Sequence, residues 1–501
     1  MDTQNTFDVC IIGAGPAGLS VLSALHTPDG LLTEAKERRN QWNRQRFASG
    51  DRSKDDISVC VIDPSGSWMS AWKGRFKSLG INFLRSPAWA TPDYYTEAAI
   101  TEFAFRNNRE KELHEIDLPK KTTNILKGTS TAGLFKLPGT KLFNDFCDDL
   151  ASSLPHTFVS GVAQAIEKLE DKTYEIFLGQ KPSVRCKHVV FALGAANTPT
   201  IPKALDPVHN CSNKTNPCVV HTFAWKQLQA LTFSDEVVVV IGGGLSSVQA
   251  VALAAKKGAR KVIHVSRRPL TSRLYDLSVD WLDPRIGWLT EKGKKSRMFE
   301  FWTIPKSERR AWVRKVRNGA TVPQYYLNIL EKLSKRGRVE RRIDAVQSAE
   351  FYGCGGKDRA VHMTFENGSS PVVADRIILA TGAKASVTKI PLLKNAIDNF
   401  NLPIVDDLPD LDGYLKWGEE NFSVVGNLAL LQVGPDSGNL SGCRRCAQLC
   451  AQYFGAFKSY VEVGGPHANM YDALLDSDSD DSDSDDSKCN ESVDDQSSED
   501  L

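Results

Sequence analysis

Residues 7–18 of the chain are Phe7-Asp-Val-Cys-Ile-Ile-Gly13-Ala14-Gly15-Pro16-Ala17-Gly18. The apolar run predicts a buried strand, and the three glycines predict a tight turn into a helix that extends to about Leu25. The first glycine permits the turn, the second permits close approach of a phosphate, and the third lets the helix pack on the strand. Free N–H groups at the start of the helix favour an anion there.

A second copy of this pattern lies near the middle of the chain. There Val237-Val-Val-Val-Ile precedes Gly242-Gly-Gly244-Leu245-Ser246-Ser247 and an Ala-rich helix to about Lys257. Each copy follows a strand and opens a helix, which is the context that this fingerprint requires. The sequence therefore predicts an α/β fold with two Rossmann-like dinucleotide-binding domains.

The residues after each loop indicate which nucleotide it binds. In the first copy Asp63 ends the next predicted strand, Ile57–Ile62, where a carboxylate accepts from ribose hydroxyls, as for the adenosine ribose of FAD. We attribute the long gap before this strand to residues 27–56, a polar, Arg-rich insertion predicted to be a solvated loop.

The second copy has no acid at the ribose position. The strand Lys261–Val265 is followed by Ser266, Arg267 and Arg268, which would pair with a 2′-phosphate and select NADPH over NADH. The alternative is an ordinary pair of surface arginines.

Two further strand-like runs end in small residues, at Gly194 and Gly382. We interpret them as the chain crossing out of and back into the first domain. The predicted organisation is an FAD-binding domain in two parts (1–215 and 346–475) that enclose an NADPH-binding domain (216–345), with a disordered acidic tail (476–501).

The composition is that of a globular chain, because 41% of the 501 residues are hydrophobic and 25% are charged. The net charge of +1 hides an asymmetry: the tail holds 12 acidic residues and one lysine, which leaves the remainder near +12. The tail lacks the apolar residues needed to fold. We expect no nucleic-acid partner.

Eleven cysteines without regular spacing, and the lack of a cationic apolar leader, favour a reducing compartment, and we expect a cytoplasmic protein. No apolar run is long enough to predict a membrane span. Cys443, Cys446 and Cys450 share one face of a predicted helix. We interpret them as buried packing residues, with a redox pair and a zinc site as alternatives, and predict no metal site.

The two-loop layout resembles the two-dinucleotide flavoproteins, and more narrowly the flavin-dependent monooxygenases that N-hydroxylate ornithine or lysine. The resemblance covers about residues 7–460. Its less generic parts are Phe83-Leu-Arg85-Ser-Pro, similar to a Leu-Arg-Asp-Pro segment, and Asn439-Leu440-Ser-Gly-Cys-Arg-Arg-Cys-Ala, similar to a carboxyl-terminal Leu-Ser followed by Arg and Ala. The chain has Leu79 where those enzymes carry a substrate-contacting lysine.

The resemblance implies further contacts to the nucleotides. The segment after Asp63 is similar to one that lies over the flavin ring, which implies Trp68 and Trp72 at the ring, with Arg85 as a nearby cation. The other implied contacts are Val162 at the adenine, Gly426 and Asn427 at the ribityl or phosphate, and Asn439 and Leu440 at the pyrimidine side. A second resemblance, carried by His221 and Trp225, is to the linker motif of flavin-containing and Baeyer–Villiger monooxygenases and implies a nicotinamide-coupling role for His221; the alternative is an ordinary linker histidine.

The implied activity is NADPH-dependent monooxygenation of a small amine, thioether or carbonyl compound by O₂ through a C4a-hydroperoxide of the flavin. This activity requires no protein nucleophile, since the cofactor carries the chemistry. Two alternatives remain open: an NADPH oxidase that releases hydrogen peroxide, and a non-enzymatic redox-sensing or growth-regulatory flavoprotein.

Residues 285–317 are rich in Lys and Arg and contain Trp288, Trp302 and Trp312. We predict a helical insertion in the NADPH domain, with its tryptophans buried and its charges solvated. A nucleic-acid platform is the alternative.

Overall fold

The computed structural model describes residues 6–26, 57–115, 135–194, 198–210, 216–277, 281, 297–352 and 360–453. The predicted insertion at 27–56 and the acidic tail at 476–501 lie outside the described residues.

The described part of the chain alternates strands and helices. The strands, in chain order, are β1 (Phe7–Ile12), β2 (Val59–Asp63), β3 (Leu113–His114), β4 (Leu137–Pro138), β5 (Thr157–Ser160), β6 (Ala165–Lys168), β7 (Tyr174–Leu178), β8 (Lys181–Phe191), β9 (Val219–His221), β10 (Val237–Ile241), β11 (Lys261–Ser266), β12 (Thr271–Ser272), β13 (Thr321–Val322), β14 (Val339–Ile343), β15 (Val346–Tyr352), β16 (Ala360–Phe365), β17 (Val372–Ala374), β18 (Arg376–Leu379), β19 (Ile404–Val405), β20 (Leu408–Pro409) and β21 (Phe422–Val424). The helices are α1 (Pro16–Leu25), α2 (Ser70–Leu79), α3 (Ala99–Arg106), α4 (Thr140–Ser153), α5 (Asp206–Asn210), α6 (Trp225–Ala230), α7 (Leu245–Lys256), α8 (Arg297–Thr303), α9 (Lys306–Arg317), α10 (Gln324–Lys335), α11 (Pro391–Phe400), α12 (Leu430–Val433) and α13 (Leu440–Tyr453).

The first sheet has seven strands in the order β5-β2-β1-β8-β7-β6, and β21 also pairs with β8. Strands β5, β2, β1, β8 and β21 run parallel, whereas β7 and β6 form an antiparallel extension. The central β1 is buried from Val9 to Ile12, as expected of a parallel strand covered on both faces. Helices α1 and α13 pack against each other, which brings residues 16–25 beside residues 440–453.

The second sheet has five parallel strands in the order β14-β11-β10-β18-β9. One of its core clusters packs the face of β10 against α7, α10 and α6 through Val238, Val248, Leu330 and Leu228. The antiparallel sheet β15-β16-β17 lies between β14 and β18 in sequence and covers the opposite face.

The second sheet does not end at the predicted boundary of residue 345. Strand β18 pairs in parallel with β10, from Val238↔Arg376 to Ile241↔Leu379. The run that ends at Gly382 is therefore a central strand of the second sheet, and the chain returns to the first sheet only at β21. The predicted boundary at residue 345 was wrong because the sheet to which a strand belongs depends on pairing partners that are distant in sequence.

Within the described residues, no helix is both long and apolar enough to cross a bilayer. The eight described cysteines are all buried.

Candidate dinucleotide-binding cleft

The first glycine loop joins β1 to α1 and leaves one glycine facing open space. A Cβ added to Gly13, whose φ is +115°, would lie 2.6 Å from the carbonyl oxygen of Ala192, and one added to Gly18 would lie 2.2 Å from that of Gly13. These two glycines are required for packing. Gly15, by contrast, has nothing within 4 Å of an added Cβ, so its backbone is open to a ligand.

The start of α1 supplies donors for an anion. Gly15 is the N-cap residue and no side chain caps the helix, so the first N–H groups of the helix lack a side-chain acceptor. The carboxylate of Asp63 is fixed beside the loop because its two oxygens accept from the N–H groups of Ala14 (3.0 Å) and Ser65 (2.9 Å). The loop and the acid thus form the phosphate and ribose halves of one nucleotide site.

The second glycine loop, between β10 and α7, repeats this geometry. A Cβ on Gly242 would lie 2.4 Å from the carbonyl oxygen of Ala380, and one on Gly244 would lie 2.8 Å from the Cβ of Ala320. Gly244 is the N-cap residue, and α7 also starts without a side-chain cap. This loop is therefore a second anion-binding turn.

Two buried side chains hold the second loop. The Ser247 hydroxyl donates to the carbonyl oxygen of Gly244 (2.7 Å), and His264 Nε2 lies 2.8 Å from the carbonyl oxygen of Gly242. Burial lowers the pKa of His264. Our sequence analysis missed His264, although a single polar residue inside the apolar strand β11 was the available signal.

The residues after β11 lie where the fingerprint places a ribose-binding group. The buried Ser266 donates its hydroxyl to the carbonyl oxygen of Arg268 (2.9 Å), which fixes the turn that carries both arginines. Arg267 and Arg268 are exposed and line the cleft. Their guanidinium groups are therefore accessible to a phosphate bound at this edge of the sheet.

Both glycine loops open into one cleft of about 3140 Å³. Ordinary ligand pockets span roughly 300–1,000 Å³, so this cleft has room for more than one dinucleotide-sized molecule. Most of the predicted site residues line it: Gly13, Ala14, Gly15, Pro16, Ala17, Asp63, Trp72, Arg85, Val162, Gly194, Gly242, Gly244, Leu245, Ser246, Ser266, Arg267, Arg268, Gly382, Gly426, Asn427, Asn439 and Leu440. The predicted residues that do not line it are Gly18, Trp68, His221 and Ser247.

Trp68 lies in a separate groove of about 600 Å³, contrary to the expected position at a flavin ring. Its indole N–H donates to Nε2 of His156 (3.0 Å), and its ring meets Phe158 edge-on. The next residue, Met69, adopts a left-handed conformation (φ 61°), and its N–H donates to the carbonyl oxygen of Ala14. Because of this turn, Met69 rather than Trp68 lines the cleft.

Trp72, one turn into α2, does line the cleft. Its ring stacks on Phe76 with 4.4 Å between centroids and an interplanar angle of 21°. The buried indole N–H has no acceptor among the described residues.

The side chain of Arg85 connects the two halves of the cleft through hydrogen bonds. Its guanidinium donates to the carbonyl oxygens of Arg273 (2.7 Å), Leu274 (2.9 Å) and Thr321 (3.0 Å) and pairs with the carboxylate of Asp276. Burial lowers the pKa of Arg85. These donors are therefore committed to protein acceptors, which distinguishes Arg85 from the free cation that we expected beside a flavin.

The predicted carboxyl-terminal residues meet at the start of α13. Gly426, with φ +76°, donates its N–H to Sγ of Cys446 (3.3 Å). A Cβ on Gly438 would lie 3.1 Å from Oδ1 of Asn427, so this amide packs against the turn before α13. Val162 is 56% exposed on the opposite wall of the cleft.

His221 ends β9 and is buried behind the cleft wall. Its Nδ1 accepts from the N–H of Phe223 (3.1 Å), so in the neutral ring Nε2 carries the proton. Burial lowers the pKa of His221 to about 4. The next two residues, Thr222 and Phe223, line the cleft in its place.

The three cysteines on α13 are buried as a packing face. Burial raises the pKa of Cys446 and of Cys450 to about 12, and it also raises the pKa of Cys443. Protonated thiols are poor nucleophiles and poor metal ligands. The described residues contain no cluster of His, Cys, Asp and Glu suited to a metal ion.

The described part of the basic segment, residues 297–317, forms helices α8 and α9, but two of its charges are not solvated. Arg309 and Arg310 are 7% and 5% exposed. They donate to backbone carbonyl oxygens, including that of Leu431 for Arg309 (2.7 Å) and that of Ala385 for Arg310 (2.6 Å). The prediction of solvated charges was wrong for these two arginines because backbone carbonyl oxygens accept their hydrogen bonds in the interior. Trp288 lies outside the described residues.

A model of the family described as L-lysine 6-monooxygenase/L-ornithine 5-monooxygenase matches residues 135–385. No individually curated protein matches the chain.

Similar solved structures include three amine monooxygenases. The FAD-bound cadaverine monooxygenase DfoA of Erwinia amylovora is 12% identical, with 90% of this chain and 95% of that chain covered and a TM-score of 0.61. The ornithine hydroxylase PvdA of Pseudomonas aeruginosa is 15% identical, with 90% and 99% covered and a TM-score of 0.62. The ornithine N-hydroxylase KtzI of Kutzneria sp. 744, solved with reduced FAD, NADP⁺ and L-ornithine, is 15% identical, with 90% and 99% covered and a TM-score of 0.61.

At these identities the likeness shows a shared fold, which confirms the predicted α/β class with parallel sheets. The matched family spans half of the residues and is the one that the sequence motifs resembled. This chain belongs to the L-lysine 6-monooxygenase/L-ornithine 5-monooxygenase family.

Proposed function

We propose that this chain is an NADPH-dependent FAD monooxygenase that adds one oxygen atom of O₂ to a nitrogen of a small amine. The observation that carries the proposal is that two glycine loops, each followed by a helix without a side-chain cap, open into one cleft. Two dinucleotides bound to these loops would share that cleft.

The first loop suits FAD. Gly15 is open to a pyrophosphate, and the fixed carboxylate of Asp63 offers acceptor capacity to an unphosphorylated ribose. Val162 and Asn427 line the remaining length of this half of the cleft, consistent with contacts to the adenine and to the ribityl chain.

The second loop suits NADPH. Gly244 opens α7 toward a pyrophosphate, and the exposed Arg267 and Arg268 stand one strand away, where a 2′-phosphate would lie. Ser266 orients the arginine turn through its bond to the carbonyl oxygen of Arg268.

A flavin in this cleft would supply hydride acceptance and oxygen activation. The chain's own residues would bind the two nucleotides and orient them. Met69, Trp72 and Phe76 contribute an apolar wall, which limits water beside the reacting atoms. Arg85 holds the segment 273–276 and Thr321 at the rim, so the NADPH half keeps its position relative to the flavin half.

Anaerobic addition of NADPH or NADH to the purified protein tests the proposal. We expect a yellow protein whose flavin is bleached by NADPH and far more slowly by NADH. Aerobic incubation with L-ornithine, L-lysine or cadaverine should then yield an N-hydroxylated amine, detected by mass spectrometry. A colourless protein that binds no added FAD, or stoichiometric peroxide release with every amine, would contradict the proposal.

A further inference from the structure

Helix α2 is attached to both halves of the molecule. Just before its start, the N–H of Met69 donates to the carbonyl oxygen of Ala14 in the first glycine loop (2.8 Å). At its end, Leu79 is buried in the core cluster of the second sheet, which also contains Val220 and Leu228. A displacement of α2 from the second sheet would therefore change the position of the first glycine loop relative to the second.

The middle of α2 meets the second half of the molecule at Gly74. This residue is buried, and a Cβ added to it would lie 2.5 Å from Cδ2 and Cε3 of Trp225 and 2.7 Å from Cε2. Packed carbon atoms stay roughly 3.5–4.0 Å apart, so no side chain fits at position 74 unless the indole or α2 moves. Glycine is a poor helix former, so this position inside α2 favours close approach over local helix stability.

Trp225 is placed by the edge strand of the second sheet. It opens α6, shortly after β9 in the strand order β14-β11-β10-β18-β9. A dinucleotide with its extra phosphate beyond β11 and its pyrophosphate at β10 would extend toward β18 and β9, so its nicotinamide end would lie on the side of Trp225. Trp225 lines both the cleft and the separate groove, so it is part of the wall between them.

We infer that the contact between Gly74 and Trp225 sets the distance between the flavin and the nicotinamide. The inference rests on the proposed function and makes both residues positioning residues for hydride transfer. In that step a hydride, which is a proton with two electrons, leaves the dihydronicotinamide ring and is accepted by the flavin ring, so NADPH is oxidised as FAD is reduced.

Hydride transfer is sensitive to this distance. A misplacement of about 1 Å can cost about 100-fold in rate. A methyl group at position 74 would force a displacement of this order, because its distance of 2.5 Å from the indole is about 1 Å shorter than a packed contact.

The Gly74→Ala variant of the full-length holoenzyme tests the inference. In anaerobic stopped-flow experiments its flavin should be reduced at least about 10-fold more slowly than the wild-type flavin at saturating NADPH. The flavin-to-protein absorbance ratio, and the Kd of NADP⁺ from equilibrium dialysis, should change less than about twofold, because both glycine loops are intact. A smaller ring at the contact should rescue the rate, so G74A/W225F should return to within about threefold of wild type.

The melting temperatures of the apoproteins give a readout without either nucleotide. G74A should melt below wild type because its methyl group presses on the indole, and W225F should reverse most of that loss in the double variant. Without the contact, G74A would instead melt higher, since alanine is the better helix former. Gly413→Ala is the matched control, because a Cβ there meets nothing within 4 Å, and it should change neither the melting temperature nor the rate.

The inference is overturned if G74A reduces its flavin at the wild-type rate, if its defect lies wholly in the Kd of NADP⁺, or if W225F does not restore the rate. If G74A does not fold, W225A replaces it, because loss of the indole removes the contact. A wild-type rate in W225A overturns the inference, and a slower rate at unchanged flavin content supports it. A wild-type protein that NADPH does not reduce contradicts the proposed function and the inference together, whereas normal wild-type reduction with an unaffected G74A contradicts the inference alone.

Discussion

The carboxylate of Asp63 accepts a hydrogen bond from the backbone N–H of Ala14, with 3.0 Å between the nitrogen and the oxygen. The end of β2 is thereby tied to the glycine loop that follows β1. Replacing Asp63 by Ala removes both this tie and the acceptor for a ribose. We expect D63A to purify with less than about a tenth of the wild-type flavin, because two charge-assisted hydrogen bonds are lost. D63N, which keeps one acceptor, should be intermediate. The flavin-to-protein absorbance ratio measures this, and full occupancy in D63A would contradict the assignment.

Gly15 and Gly18 should respond differently to the same added methyl group. Gly15→Ala has space and an ordinary φ of −91°, so the protein should fold with little change in melting temperature but bind FAD at least about tenfold more weakly, since the methyl group projects into the cleft. Gly18→Ala would press on the carbonyl of Gly13 and should lower the melting temperature even without flavin. Thermal unfolding of the apoprotein and FAD titration separate the two effects. Equal losses of stability would argue against the phosphate role of Gly15.

Arg267 and Arg268 should set the choice of nicotinamide. Each single change to Ala should raise the KM for NADPH by roughly 10-fold or more, because one charge-assisted contact to the extra phosphate is lost. The KM for NADH, which lacks that phosphate, should change less than twofold. Anaerobic stopped-flow reduction of the flavin measures both. Parallel changes for the two nucleotides would show that the arginines are ordinary surface residues.

His221 should make the protein less stable in acid. Its pKa is about 4 in the folded protein, against 6.5 ordinarily, so between these values the unfolded chain binds more protons than the folded one. This stabilisation is complete above pH 6.5 and is lost as the pH falls toward 4, at up to about 1.4 kcal/mol per pH unit. His221→Gln should flatten the decline in the free energy of unfolding measured with urea at pH 7, 6 and 5. His188, whose pKa burial also lowers to about 4, should contribute independently. An unchanged slope in His221→Gln would contradict this account.

The thiols of α13 should be inert in the folded protein. Because burial raises the pKa of Cys446 and of Cys450 to about 12, few thiolates exist at pH 8. Iodoacetamide should label neither cysteine before denaturation, as read by peptide mass spectrometry, and C446A should reduce its flavin with NADPH at the wild-type rate. Rapid labelling of Cys446, or a flavin that cycles with an added disulfide, would favour the redox alternative.

Local sequence predicted the two strand–turn–helix units well. The predicted helix ends at about Leu25 and Lys257 agree with α1, which ends at Leu25, and α7, which ends at Lys256. These units were readable because the glycine spacing and the apolar periodicity arise from neighbours in the chain.

The sequence-based predictions failed where the structure depends on contacts between residues that are distant in sequence. The position of β18 depends on pairing with β10, the direction of Trp68 depends on the turn at Met69, and the donors of Arg85 are taken by the segment 273–276.

Strand β21 completes the first sheet by pairing with β8, although Phe422 is separated from Phe7 by most of the chain. A ribosome must therefore translate past residue 424 before the sheet that begins at residue 7 has all its strands. Messages that stop early, or transcripts spliced to omit the last third, would encode a flavin half that exposes the side of β8 normally covered by β21. Such products should be captured by chaperones and degraded rather than persist as independent flavin-binding fragments.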